Sequence, residues 1–383
     1  MPELIHAAIW PLVVAFVVVL LVGPVVRRLA VKLDFHDRPD GSLKPHERPI
    51  PYLGGLAIYA GWAAAFVVMG LQEFTAWYRT GADTSGIHLF AWIVAGGTVM
   101  MVTGLIDDRR HIRPILRLMI QAAVAGLLLL GGIGSGLAAK LVEGLVEPSW
   151  LNATAWAITA GSLVMAAFLI AAASNATNLV DGMDGLCAGV VAIAGAGFVA
   201  LTSSLAARAG IGAAGAALIV TLSGILIGVC AAFLFFNFNP ASMFMGDSGS
   251  LLLGFNVAAV LILFGQYAGW RGLIAGTMVF GFPIFDTALA ILRRWLNKRP
   301  LFVGDRSHFY DQLRDRGFSV KQTVGLCYLL QAVFVLWGMT VSYFPLYWIV
   351  IVAIVQPVIV MALCRAFGFL RVGGAFATQS EPR

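Results

Sequence analysis

The sequence predicts an all-α, polytopic integral membrane protein with about 11 transmembrane helices and with its polar residues gathered in cytoplasmic loops. Of the 383 residues, 60% are hydrophobic and only 11% are charged, against roughly 25% charged in a soluble domain. Apolar runs of about 18 to 25 residues, the length a helix needs to cross ~30 Å of hydrocarbon, recur along the whole chain. Lys and Arg are divided unevenly between alternate connections, as expected where cytoplasmic loops collect positive charge. No stretch remains for a separate soluble domain, so residues 1–383 read as one multi-pass unit.

The first run, 7–27, follows MPELIHAA, which lacks the basic start of a cleavable signal. Its basic residues, Arg27, Arg28 and Lys32, come afterwards, so the run reads as an anchor with its amino end outside. The second, 51–71, opens out of KPHERPIPYLGG, and the third, 89–106, stops at DDRR. The fourth and fifth are 114–132 and 151–173, the latter running into SNATNLVDGMDGLC. The sixth and seventh, 186–206 and 211–235, lead to FNFNPASMFMGDSGS. The eighth and ninth, 250–268 and 271–292, include Asp286 inside an otherwise apolar helix, and 322–343 and 345–367 complete the series. With eleven crossings one side holds 21 Lys and Arg, and the other holds Arg79, Lys140, Arg208 and Arg271. The net charge of +6 is therefore mostly topological and gives no reason to propose a nucleic-acid partner. Cys187, Cys230, Cys327 and Cys364 lie in or beside apolar runs without C-x-x-C spacing and read as small packing residues.

Acidic residues are scarce enough to be read singly. Asp107 and Asp108 follow the third run, Asp181 and Asp184 the fifth, Asp247 the seventh, and Asp305 and Asp311 the ninth, all on the side assigned to the cytoplasm. A carboxylate at a helix end is ordinarily solvated or set against the positive end of a following helix. That reading weakens for loops 174–185 and 236–249, which carry Asp and Asn but no Lys or Arg where positive charge should collect. Such hard oxygens suit Mg²⁺, which typically takes one or two carboxylates and completes its shell with substrate phosphates and water. Gly182, Gly185, Gly246 and Gly249 flank the acids and permit tight turns with backbone N–H groups close to an anion. Asn175, Asn178, Asp181 and Asp184 recur at every third residue, which puts them on about one face of a helical turn. Lys44 and His46, in 44–55, and Arg306 and His308, in 297–318, stand beside Pro, Gly or aromatic residues that fix the chain. They are candidates for phosphate contacts, set against the ordinary reading of a solvated positive-inside loop.

Four stretches, HERPIPYLGG, DDRRHIRPILRLMIQ, NATNLVDGMDGL and NPASMFMGDSGSLLLG, resemble in order and sidedness the motifs of the polyprenyl-phosphate N-acetylhexosamine-1-phosphate transferases. The resemblance covers residues 44 to 318, and FPIFDTALAILRR also looks like that family's ninth crossing. It implies transfer of a sugar-1-phosphate from a UDP-amino sugar, UDP-GlcNAc foremost, to undecaprenyl or another polyprenyl phosphate, with UMP leaving. Mg²⁺ is the implied ion, with Mn²⁺ an alternative, and the implied site is the cytoplasmic face of a bacterial inner membrane. The resemblance places Asp247 and Asn178 at the metal and Asp107 and Asp108 beside the lipid phosphate as the catalytic pair. It places Asn175, Asp181 and Asp184 on the nucleotide side and Lys44, His46, Arg306 and His308 at phosphates. A homodimer is compatible with the sequence. Many relatives carry H-x-H-H after the ninth crossing, whereas this chain reads DRSHFYDQL with His308 alone. The peptidoglycan translocase of that family has a longer His run and a different continuation after DD, so the resemblance points away from it.

Exchange of one phosphoanhydride for another leaves little covalent work to the protein, so positioning and charge neutralisation should dominate. Asp107 is either a general base or a positioner, because a phosphate monoester with a second pKa near 6 is already largely ionised at neutral pH. A transporter with an acidic cation site on its cytoplasmic face is the main alternative. Transporters, however, hold their acids near the midplane, and here only Asp286 lies clearly within a helix. The D-G…A-R…G…D…D signature of CDP-alcohol phosphotransferases is absent, and no motif acid is missing, as one would be in a non-catalytic scaffold.

Overall fold

The computed structural model describes residues 2–37, 49–80, 85–143, 154–208, 211–298 and 308–370. The chain begins with α1 (Pro2–Lys32), an antiparallel ribbon of β1 (His36–Asp37) and β2 (Ile50–Pro51), α2 (Gly54–Thr80), α3 (Ser85–Arg110), α4 (Pro114–Leu130) and α5 (Leu137–Val142). α6 (Ala155–Val180), α7 (Leu186–Arg208), α8 (Ala213–Asn237), α9 (Gly246–Val279) and α10 (Gly281–Leu296) follow. α11 (Phe309–Asp315), α12 (Val320–Val341) and α13 (Leu346–Ala366) complete the order. The architecture is all-α, as the apolar runs predict.

Every apolar run is helical over most of its described length. Nine helices among the described residues are long and apolar enough to cross a membrane, and α4, with 17 residues, is a shorter apolar helix. α9 contains the eighth run and the start of the ninth, with Gly269 at φ 59° and ψ −147° between them. A Cβ on Gly276 would meet the side chains of Leu261 and Phe264, which lie roughly 18 to 22 Å away along a straight helix. The chain therefore folds back at Gly269, and the returning arm continues past Phe280 into α10. Local sequence also sets helix ends. Pro114 occupies the first turn of α4, where its missing N–H costs nothing, and Ser319 with Gln322 forms a reciprocal capping box on α12.

The first arm of α9 is buried on all sides, and α9 as a whole packs against α2, α3, α6, α7, α8 and α12. Lipid gives no hydrophobic drive between helices, so such an arrangement relies on close packing through small residues. Gly104 on α3 lies against the backbone of Asp247 and Ser248, and Gly254 on α9 lies against the backbone of Ser174 on α6. These two approaches bring the ends of α3, α6 and α9 together. The ribbon pairs His36 with Pro51 and Asp37 with Ile50 beside that junction. Phe244 N–H donates to Pro51 O at 2.9 Å and Gly55 N–H to Met245 O at 2.9 Å, tying the start of α2 to the segment that opens α9.

Gly104→Ala tests the close approach directly. Its Cβ would press on backbone, so the variant should lose about 1–3 kcal/mol of stability, read as a lower melting temperature in detergent. Gly70→Ala on α2, with nothing within 4 Å of the added carbon, should melt like the unaltered protein. Equal behaviour of the two variants would show that α3 and α9 do not depend on this contact.

Candidate active site

The junction of α3, α6 and α9 holds the acids that the sequence singles out. Gly246, at φ +70°, opens α9 in a conformation that glycine adopts readily and places Asp247 in its first turn. The first N–H groups of a helix lack intrahelical acceptors and carry its positive end. Asp108 meets them from α3, with Oδ1 accepting from Asp247 N–H at 2.7 Å and Oδ2 from Ser248 N–H at 3.2 Å. Asp108 thus acts as an N-cap supplied by a neighbouring helix, and it fixes where Asp247 stands.

Asp107 is buried and has both oxygens engaged. Oδ1 accepts from Ile112 N–H at 2.6 Å, and Oδ2 accepts from Arg117 Nη1 at 3.1 Å. The same Arg117 nitrogen lies 3.9 Å from Asp247 Oδ2, so one guanidinium on α4 faces both carboxylates. Asn178, on the last turn of α6, donates Nδ2–H to Asp247 Oδ1 at 2.7 Å and to Ser250 Oγ at 3.0 Å. A carboxylate can only accept, so this bond fixes the amide orientation. The Asn178 oxygen accepts no hydrogen bond among the described residues. A cavity of about 560 Å³ opens beside this group, lined by Asp107, Asp108 and Asp247 and by Leu33 to Asp37 and Tyr52 of the ribbon region. Burial pushes the Tyr52 phenol well above its ordinary pKa, and Asp108 and Asp247 add to the shift, so it remains a neutral hydroxyl at the cavity wall.

Among the described residues no three His, Cys, Asp or Glu side chains form a ready-made cation cage. The oxygens of this group that accept no hydrogen bond among the described residues are Asp247 Oδ2 and the Asn178 side-chain oxygen. That sparse oxygen set fits a hard cation whose remaining ligands come from phosphate and water.

The every-third pattern of 174–187 holds only as far as the helix does. α6 ends at Val180, Asp181 follows as its C-cap, and Gly185 at φ +79° turns the chain into α7. Asp184 consequently leaves the shared face and points to the segment after α8, where Oδ2 accepts from Asn239 Nδ2–H at 2.8 Å and from Ala241 N–H at 3.0 Å. Asn175 donates to Gln121 Oε1 at 3.2 Å and to Ala171 O at 2.7 Å, joining α6 to α4. His308 is buried beside Asp286, its Nδ1 lying 2.7 Å from Asp286 Oδ2, so its ring faces a carboxylate rather than the cavity. Lys44, His46 and Arg306 lie outside the described residues.

Arg117 is the site residue that sequence reasoning left without a role, although it stands in the quoted PILRLMIQ. Its signal was a cation ten residues after Asp107, but only the fold shows that α4 turns it back onto the acids.

Asp181 makes no side-chain hydrogen bond among the described residues. Burial raises its carboxyl well above the usual range, with Asp247, Asp108 and Asp184 adding to the shift. A carboxyl whose folded pKa exceeds its unfolded value of about 3.9 binds its proton more tightly in the folded chain, so stability falls as pH rises through that interval. Asp181→Asn removes this loss. With a chelator present, the variant should melt with the unaltered protein near about pH 4 and above it at about pH 7.5. Melting temperatures that coincide at both pH values would count against a strained carboxylate here.

The sequence pattern of glycosyl transferase family 4 matches residues 90–265, the span from α3 to the first arm of α9 that carries the hydrogen bonds of Asp107, Asp108, Asn178 and Asp247. A Bacillus subtilis (strain 168) protein named "Probable undecaprenyl-phosphate N-acetylglucosaminyl 1-phosphate transferase" is 34% identical over 329 residues, covering 84% of this chain and 83% of the relative. A Mycolicibacterium smegmatis decaprenyl-phosphate N-acetylglucosaminephosphotransferase is 30% identical over 302 residues, 74% of this chain and 70% of the relative. A Moorella thermoacetica phospho-N-acetylmuramoyl-pentapeptide-transferase is 34% identical over 268 residues, 67% of this chain and 75% of the relative. The matched span and the shared length agree with the helix-end cluster of Asp107, Asp108, Asn178 and Asp247, and the chain belongs to glycosyl transferase family 4.

Proposed function

We propose that this protein transfers N-acetylglucosamine-1-phosphate from UDP-GlcNAc to a polyprenyl phosphate, with UMP as the second product, at the cytoplasmic face of a bacterial membrane. One observation carries the reading: Asp107 and Asp247, faced by Arg117 and, for Asp247, bonded by Asn178, line a cavity where three apolar helices end. A lipid phosphate at that depth keeps its chain in hydrocarbon and its charge at the helix ends. The names of the relatives from B. subtilis and M. smegmatis support the acceptor class and the sugar.

An oxygen of the lipid phosphate attacks the β-phosphorus of the UDP-sugar in line. The bond from that phosphorus to the bridging oxygen breaks, and UMP leaves with the electron pair. Mg²⁺, held through Asp247 and the Asn178 oxygen, would neutralise the diphosphate. Asp108 keeps Asp247 at the tip of α9, and Asn178 orients it. Both oxygens of Asp107 already accept hydrogen bonds, so its part is to aim Arg117 toward the phosphates rather than to take a proton.

Purified protein should move label from UDP-GlcNAc into the lipid phase with undecaprenyl phosphate as acceptor, more than from UDP-GalNAc or UDP-QuiNAc, and EDTA should stop it. Label that stays in water with Mg²⁺ present would refute the reading. Asp247→Asn should lower kcat on the order of 10²–10³-fold while leaving the fold intact, because one fixed charge opposite the developing phosphate charge is lost. Asp107→Asn should scale the pH–rate profile down without changing its shape. A recovery of rate as pH rises past about 6, where the lipid phosphate ionises unaided, would instead assign Asp107 as a base.

A further inference from the structure

The segment that departs from H-x-H-H, His308 to Asp311, begins α11 and reaches the DGMDG turn. Tyr310 is 4% exposed, and its hydroxyl donates to Leu179 O at 3.0 Å. That carbonyl lies in the last turn of α6, where no intrahelical donor remains. The hydroxyl also fills the position that a Cβ on Gly182 would take, so this tyrosine and this glycine require each other. The start of α11 is anchored in turn. Asp286 on α10, fully buried, accepts Phe309 N–H at 2.6 Å on one oxygen and faces His308 Nδ1 at 2.7 Å with the other. The His308 ring stacks on Tyr310 with planes 5° apart.

We propose that Tyr310 is a positioning residue for the nucleotide sugar, acting by holding the turn 181–185 through Leu179 and Gly182. The proposal rests on the transferase reading above. A turn with Gly182 and Gly185 has more conformational freedom than one with side chains at both positions. The Asp181 side chain, within it, makes no hydrogen bond among the described residues, and its backbone N–H reaches only Asn178 O at 3.2 Å. Ordering the turn beforehand removes a cost that substrate binding would otherwise carry. The far end of the turn is held independently, since Tyr328 hydroxyl donates to Gly185 O at 2.5 Å and Gly185 N–H donates to Asn237 Oδ1 at 3.0 Å. Tyr310 therefore sets the half that carries Asp181. Burial raises the Tyr310 phenol far above its ordinary pKa, and Asp311 and Asp286 add to this, so the donor persists throughout the working pH range.

The test compares the full-length protein with Tyr310→Phe, Gly182→Ala and the double variant in lipid nanodiscs. Transfer kinetics from UDP-GlcNAc and calorimetric binding of UMP are both measured. Tyr310→Phe should raise the KM for UDP-GlcNAc and the Kd for UMP together by about five- to tenfold. Its kcat and its KM for undecaprenyl phosphate should stay within about twofold. Gly182→Ala should do the same through a different residue, and the double variant should be no weaker than the worse single one, because both act on one contact. Unchanged UMP binding in Tyr310→Phe, an equal rise in the KM of both substrates, or additive effects would overturn the proposal. Unaltered protein that transfers no label would overturn the transferase reading, and the proposal with it.

Discussion

The site depends on one carboxylate closing one helix. Asp108 Oδ1 and Oδ2 take the N–H groups of Asp247 and Ser248 that α9 cannot satisfy itself. A buried helix end left open costs about 1–3 kcal/mol per unpaired group. The cap therefore stabilises α9 and fixes Asp247 by the same two bonds. It forms only because Gly104 lets α3 run against the backbone of α9. Replacing a small residue there would separate a helix contact and a catalytic geometry at once.

The remaining polar groups follow the same rule of local satisfaction. Two acids away from Asp107, Asp108 and Asp247 are each held by neighbours that also join two elements: Asp184 by Asn239 and Ala241, Asp286 by His308 and Phe309. Asp286, inside a helix, is paired with its own loop rather than lined up along a transmembrane path. The transporter alternative gains nothing from it. Asp181 differs, with no side-chain hydrogen bond among the described residues and with burial and three other carboxylates raising its pKa. Such a position is tolerable if substrate or its counter-ion is the missing partner.

Much of this was legible in the sequence. Apolar runs gave the helices because hydrocarbon admits few other backbone solutions, and the loops bearing Asp181 and Asp247 were marked by acids where cations were expected. Other features were not legible for specific reasons. Gly269 reads as one more glycine in a Gly-rich chain, yet its φ of 59° folds the eighth and ninth runs back on each other. His308 reads as a phosphate contact by analogy with H-x-H-H, yet its partner is a carboxylate 22 residues earlier. The spacing from Asn175 to Asp184 reads as one face, but helix continuation through two glycines failed after Val180.

Sequence alone determined the class of fold, the end at which polar groups collect and which residue types are available for a phosphate and a hard cation. These follow from hydropathy and from the chemistry of single side chains. Only the tertiary structure decided how the acids divide their work. Asp107 and Asp108 are neighbours in sequence, but one faces Arg117 and the other caps α9, because successive residues on a helix point about 100° apart. Which neighbour each direction meets is set by how α3, α4 and α9 pack, and no local pattern encodes that.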